Sequence, residues 1–259
     1  DGRLVDVAIA DGRFVSFEPA GSRMTGAMID GKGRLMLPGL VEAHTHLDKT
    51  LWGLPWRPNS AGPALADYIE NERRVRRALP PVAGRAAALL EQMIAMGSVH
   101  IRAHVDVDPE IGLASVEALL ALRETNRARC RIDLVAFPQF GMLTNPGTAE
   151  LMDEALRRGV DCMGGIDPAG IDGDPVRHLE TVFATAAGHG RAVDIHLHDG
   201  GELGLWQIGL IADMTASHGL AGRVTISHAY CLGTADPGRL EALARRLADL
   251  RISILTTAP

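Results

Sequence analysis

From residue 35 onward, apolar runs of strand length alternate with stretches of helical periodicity, and this alternation limits the folds open to the chain. The runs are "LMLPGLVEAH", "VHIRAHVDV", "IDLVAFPQ", "VDCMGGID", "AVDIHLHD", "RVTISHAY" and "ISILTTAP". Helix-like stretches such as "GLASVEALLALRETNRA" and "DPVRHLETVFATAAGHG" separate them, and several end in glycine. The first gap is longer, holding the loop "GLPWRPNSAGP" and two helix-like stretches up to Gly97. Strand then helix, repeated, implies a parallel sheet with crossover helices. Seven strand runs are present, one short of the eight that close a (β/α)8 barrel. The expected fold is α/β, a (β/α)8 TIM barrel over residues 35–259 whose eighth strand is absent from the sequence. An open doubly wound sheet is the alternative, but the GxGxxG loop that marks it after the first strand is missing. Residues 1–34 read differently: "LVDVAIA" and "FVSFEP" flank "DGR", a hairpin signal, and form a partial N-terminal β-sandwich. The chain opens in mid-pattern and closes directly after the seventh strand, so the expected protein is longer than this sequence.

Composition narrows the partners. The formal net charge is −6, and the densest basic patch, "RRVRR" at 73–77, reads as the solvated face of a helix, so no nucleic-acid partner is expected. No apolar run reaches the roughly 18 residues of a membrane span, and no secretory leader is seen, so neither a membrane partner nor secretion is expected. Cys130, Cys162 and Cys231 are scattered without CxxC spacing, which fits a reducing cytoplasm better than a disulfide framework. Homo-oligomerisation stays open.

The chemistry-bearing residues fall at the strand ends. In "LVEAHTHLDKT", His44 and His46 are two residues apart and project to one face of a strand end, where two neutral imidazoles can hold one metal ion. Later strands end in His104, Asp106 and Asp108; in Gln139; in Asp167; in His196, His198 and Asp199; and in His228. In a barrel these ends share one rim, where active sites are built. Asp106 and Asp108 could equally cap the next helix. Of His196 and His198, His196 is favoured as the metal-facing residue. His100 is expected to pack or face a helix, and His178, His189 and His218 to sit in helices or near their ends. Trp52, Trp56 and Trp206 are read as loop or core packing, with Trp52 and Trp56 alternatively lining a pocket for a flat ring.

Together, "PGLVEAHTHLDKT", "HVDVD", "VAFPQFG", "GGIDP", "VDIHLHD" and "GRVTISHAYC" resemble the amidohydrolase superfamily, in the branch of cytosine deaminase and N-isopropylammelide isopropylaminohydrolase. The resemblance implies one divalent metal ion, zinc or iron, with His44, His46 and His196 as ligands. It implies His228 beside the activated water as general base and later acid, with Asp199 assisting proton transfer. Gln139, Lys49 and Asp167 are implied as contacts to a small heterocyclic substrate. The implied reaction is hydrolysis of an exocyclic C–N bond by metal-activated hydroxide, releasing ammonia as in cytosine deaminase. Release of an alkylamine from an s-triazine-like ring is the alternative, and a non-catalytic binding protein on the same fold a further one. "AFPQ" follows the deaminase form, whereas "HTHLDK", "GGIDPA" and "HLHDGGELG" look more like the triazine enzyme. Asp199 stands where the deaminase has a glutamate. The family's last ligand, an aspartate after the eighth strand, has no counterpart in this sequence.

Overall fold

Asp11 and Gly12 both adopt positive φ, 51° and 69°. That is the two-residue turn that matches the twist of a hairpin. It joins β1 (Val5–Ala10) to β2 (Arg13–Pro19), which pair antiparallel. The Asp6 carboxylate accepts from the amides of Gly21 and Ser22 at 2.8 and 2.9 Å, tying the chain beyond β2 back to β1. The computed structural model describes residues 2–23 and 25–256. The chain divides into two units, Asp1–Pro38, which holds this hairpin, and Gly39–Pro259.

The second unit carries seven parallel strands in strictly sequential order: β3 (Leu40–Thr45), β4 (Ser98–Asp106), β5 (Arg131–Phe137), β6 (Cys162–Ile166), β7 (Ala192–Leu197), β8 (Val224–His228) and β9 (Ser253–Leu255). A doubly wound sheet reverses its strand order at a switch point; this sheet does not, which excludes it. The sheet curls into a nearly closed barrel. On a flat sheet β3 and β8, five strands apart, would stand roughly 24 Å apart. Instead the rings of His44 and His228 approach to 4.9 Å between centroids. Arg102 of β4 likewise reaches across to Asp194 of β7 at 3.0 Å and Thr225 of β8 at 3.1 Å.

Two-residue alternation divides each strand between the helices and the barrel interior. Ile101, Ala103 and Val105 of β4, Ile132, Leu134 and Ala136 of β5, and Val193, Ile195 and Leu197 of β7 are buried in the apolar core. The helices that cover them are α2 (Val82–Ala95), α3 (Ala114–Asn126), α4 (Thr148–Arg157), α5 (Pro175–Gly188), α6 (Gly201–Ser217) and α7 (Pro237–Asp249). Helix α5 shows why such segments form. Asp174 caps its first turn by accepting from the Arg177 amide, Pro175 opens it, and Leu179, Val182, Phe183 and Ala186 bury one stripe. Each such large side chain contributes about 1.5–3 kcal/mol of burial.

The intervening positions of β4 are polar. His100, Arg102, His104 and Asp106 of β4 share a face; His100 pairs with Asp133 at 2.8 Å and Arg102 with Asp194. Of the two expectations for His100, packing or facing a helix, the alternation fits the first, since it puts His100 on the face of Arg102, against Asp133. At "GGID" the glycines answer a packing demand, since a Cβ on Gly164 would stand 2.2 Å from the Ala136 carbonyl oxygen. His189 and His218 sit at the C-terminal caps of α5 and α6, as expected.

Candidate active site

The barrel's C-terminal rim carries His44 and His46 from the end of β3, His104 from β4 and His196 from β7. One ring nitrogen from each of these four lies within 4.8 Å of the others. His104 is fully buried and His196 3% exposed. Such burial normally demands hydrogen-bond partners. Yet, among the described residues, Nδ1 of His46 and both ring nitrogens of His104 and His196 have no hydrogen-bond partner. A cluster of buried, unpartnered nitrogen donors is costly unless something positive sits among them, so the donor set fits a divalent cation.

The electrostatics agree. Burial first, then the Lys49 ammonium, holds His46 well below its ordinary pKa; burial and the neighbouring His104 do the same for His196. His44 is pushed down to about 3 by burial and then by His104 and His228. All three imidazoles are therefore neutral near pH 7, the form that binds metal. Beneath them Asp194, fully buried, accepts from Ser227 Oγ at 2.8 Å and lies 3.5 Å from His104 Nε2. Ser227 Oγ in turn stands 3.3 Å from Nδ1 of His44.

This sets a pH dependence with a definite sign. An imidazole whose folded pKa lies below its unfolded value binds protons preferentially in the unfolded chain. His44 and His228, lowered to about 3 and about 4 from 6.5, contribute most stability above pH 6.5 and lose it as pH falls toward those values. Thermal unfolding of the metal-free protein should drop in temperature between pH 7.5 and 4.5; an unchanged midpoint over that range would contradict these assignments.

A second group borders the first. His228 ends β8 with φ of 73°, and Asp167 follows β6 with φ of 31°. Left-handed backbone at a non-glycine residue is rare and collects at functional sites. Asp167 Oδ2 lies 2.7 Å from Nδ1 of His198, and its Oδ1 accepts from the His198 amide at 2.5 Å. The rings of His198 and His228 stack with centroids 4.3 Å apart, and Tyr230 OH lies 3.3 Å from Nδ1 of His228. Burial, and next the charge of His198, pushes His228 down to about 4. Asp199 faces a different way. Its Oδ2 accepts from the Gly170 amide at 3.1 Å and from Gln207 Nε2 at 2.8 Å, bracing the loop after β6.

A third group surrounds Lys49. Its ammonium donates to Gln139 Oε1 at 2.7 Å and pairs with Asp106 at 3.0 Å and with Glu72 at 3.1 Å. Glu72 belongs to α1 (Leu65–Arg76), a helix with no buried residue that lies over the rim. Between α1 and the barrel mouth is a cavity of about 610 Å³, with Leu65, Ile69 and Arg73 on one side and Gln139, Asp167 and His198 on the other.

Charge holds α1 in place. Glu110 accepts from Arg73 at 3.0 Å, Arg76 at 3.1 Å and Arg77 at 2.7 Å, while Arg76 also bonds Asp108 at 2.6 Å. Arg73 and Arg76 lie over the Phe140 ring, 5.0 and 4.9 Å from its centroid. The basic run expected on a solvated face is instead a clamp, because its acidic partners come from a distant loop. Asp108 accepts from the amides of Glu110 and Ile111 in a turn ahead of α3, whose cap position is Leu113. Removing the shared negative charge in Glu110→Gln should speed amide hydrogen exchange across α1 while leaving α5 unchanged; equal protection in both proteins would show that the ion pairs do not hold the helix.

Sequence reasoning placed His104 among the strand-end residues without a ligand role, and it passed over Asp194. Both lie on inward-facing strand positions, so the two-residue alternation could have found Asp194 as well. The role of His178, expected only within a helix, is to bond Asp172 at 2.6 Å; Asp172 also receives the amides of Met142, Leu143 and Thr144, fixing the loop beyond Gln139. No local signal marks that contact. Trp52 and Trp56 are 53% and 85% exposed and neither lines the cavity.

The fold and site together define a parallel barrel whose C-terminal rim gathers histidines that could hold a metal ion. Residues 27–258 match the amidohydrolase family, and the chain belongs to it. It is 31% identical to N-isopropylammelide isopropyl amidohydrolase of Pseudomonas sp. (strain ADP), covering 98% of this chain and 64% of that protein. Among solved structures, N-isopropylammelide isopropylaminohydrolase from Burkholderia multivorans ATCC 17616 superposes with a TM-score of 0.92 at 42% identity, over 98% of this chain and 65% of that one. 5-Methylcytosine deaminase from Klebsiella pneumoniae, liganded with phosphonocytosine, gives 0.81 at 29% identity, over 97% and 62%. The chain thus spans less than two thirds of the length of each of these relatives. Among the described residues, no helix is long and apolar enough to cross a membrane.

Proposed function

We propose that this chain forms the catalytic barrel of a hydrolase that cleaves an exocyclic C–N bond on a nitrogen heterocycle, using one divalent ion, zinc or iron. The observation that carries the reading is the cluster of four imidazoles, three of which (His46, His104 and His196) hold buried nitrogens without partners among the described residues, beside the Asp167–His198–His228 group. His44, His46 and His196 are assigned as ligands, with His104 packed beside them, its Nε2 3.5 Å from Asp194. A divalent ion bound there supplies Lewis acidity and a water of lowered pKa.

The residues of the chain supply the remaining chemistry. His228, neutral at pH 7, accepts a proton from the attacking water as the new C–O bond forms at the ring carbon. That carbon becomes tetrahedral. The exocyclic nitrogen cannot leave as an amide anion, so the same imidazole returns the proton to it, and the C–N bond breaks to release a neutral amine. Asp167 holds Nδ1 of His198, which fixes the ring against His228 and leaves Nε2 toward the cavity. Asp199 keeps the loop after β6 in place through Gly170 and Gln207, a role at one remove from the proton shuttle.

Release of an alkylamine is favoured over release of ammonia. The α1 wall of the cavity is apolar at Leu65 and Ile69, which suits an alkyl substituent, and the structural relative with 42% identity is named for an isopropylamino substrate. The test is to offer N-isopropylammelide and cytosine side by side to the metal-loaded protein. Isopropylamine supports this reading, ammonia from cytosine supports the deaminase reading, and metal binding without turnover of any ring amine would leave a binding protein.

A further inference from the structure

One imidazole of the cluster is tied to a line of contacts that crosses the barrel interior. Asp194 of β7 and Ser227 of β8 are both fully buried. Oδ2 of Asp194 accepts from Arg102 of β4 at 3.0 Å, and its Oδ1 accepts from Ser227 Oγ at 2.8 Å. The same Oδ1 stands 3.5 Å from His104 Nε2. Ser227 Oγ lies 3.3 Å from Nδ1 of His44. Arg102 also donates to Thr225 Oγ1 at 3.1 Å, a second hold on the guanidinium. Arg102, Asp194, Ser227 and His44 thus form a line to which β4, β7, β8 and β3 each contribute one residue.

Each link in that line has one direction. A guanidinium donates, cannot accept and does not lose its charge in a protein. A carboxylate held against such a fixed cation is ionised, and an ionised carboxylate only accepts. Ser227 has a single O–H, which must therefore go to Asp194. Its oxygen then offers nothing but lone pairs to Nδ1 of His44, so Nδ1 has to carry a proton. A neutral imidazole has one N–H, which leaves the lone pair on Nε2. That is the nitrogen a metal ion would need, because Nδ1 is already engaged with the hydroxyl.

We infer that Ser227 is a positioning residue whose hydroxyl, aimed by Arg102 and Asp194, fixes His44 as the Nδ1–H tautomer and so keeps Nε2 free to join His46, His104 and His196 around a cation. The inference rests on the metal-site part of the hydrolase reading and goes beyond the choice of ligands to how one of them is prepared. It also gives Arg102 a part in the site, although that residue lies at the middle of β4, below the rim. A partner on the far nitrogen of a metal-binding imidazole sets both its tautomer and the orientation of its ring.

The test reads the tautomer directly, by nitrogen–proton correlation NMR of the metal-free protein labelled at histidine, with the His44 signals identified through His44→Gln. Zinc affinity is measured separately by competition with a chelator. The wild type should show the proton on Nδ1. Asp194→Asn is the sharpest variant. Arg102 still demands an oxygen, so the new amide turns its nitrogen to Ser227, the hydroxyl reverses, and His44 should change to the Nε2–H form. Ser227→Ala removes the acceptor and no charge, so both tautomers should appear, and it keeps the test open if Asp194→Asn folds poorly. Zinc affinity should fall roughly tenfold to a hundredfold in Ser227→Ala, the range for losing a group that orients a ligand, and at least as far in Asp194→Asn. A wild-type proton on Nε2, an unchanged tautomer in both variants, or wild-type zinc affinity in both overturns the inference. The hydrolase reading is judged separately, by turnover of ring amines, so either can fail while the other stands.

Discussion

His196→Ala should lower turnover by roughly 10⁴-fold or more, since a metal-activated water has a pKa near 7 against 15.7 in bulk. His196 stands at the centre of the imidazole cluster, with ring centroids 4.6 Å from His44, 4.5 Å from His104 and 5.5 Å from His46. It is 3% exposed and neither ring nitrogen has a partner among the described residues. In the metal-free protein, truncation removes a group that was desolvated at a cost, so the metal-free midpoint should change little. The metal-dependent stabilisation should vanish, about 2.7 kcal/mol when the ion is present at a hundred times its dissociation constant. Metal content, turnover and the thermal shift on adding zinc check this together. A variant that keeps stoichiometric metal and the full thermal shift would remove His196 from the ligand set.

The second large effect is kinetic. His228→Ala should reduce turnover by about 10²- to 10⁴-fold, the usual share of a positioned acid–base group, while metal content stays at the wild-type level. Its ring lies 4.9 Å from that of His44 and 5.0 Å from that of His196, and it stacks on His198. This places it against the imidazole cluster but outside the set of four close nitrogens. Asp167→Asn provides the companion measurement. It weakens the hold on Nδ1 of His198 without touching His228, so its loss should be smaller. Normal turnover in His228→Ala with metal bound would end its assignment as the proton shuttle, and equal losses in both variants would point to His198 as the group that moves the proton.

Much of the architecture could be read before any coordinates. Strand-length runs alternating with helical periodicity implied a parallel sheet, and sequential strand order then separated the barrel from the doubly wound alternative. Strand-end positions also located the site, because residues at the C-terminal ends of a curled parallel sheet converge whatever lies between them. His44, His46, Gln139, Asp167, His196 and His228 all occur there. What escaped was pairing. Asp167 meets His198, not a substrate alone; Asp199 meets Gly170 and Gln207, not His228; the arginines of α1 meet Asp108 and Glu110, not water.

The sequence by itself determined the class of fold and the rim on which the chemistry collects, since both follow from periodicities of two and about 3.6 residues that any local stretch displays. Only the tertiary structure decided which nitrogen faces which carboxylate, that Lys49 serves Gln139, and that a helix with no buried residue closes the cavity. Such contacts join residues far apart in the chain, 29 positions for Gly170 and Asp199, 90 for Lys49 and Gln139 and 183 for His44 and Ser227, and their geometry depends on how far the sheet curls, a property of the whole barrel that no short segment carries.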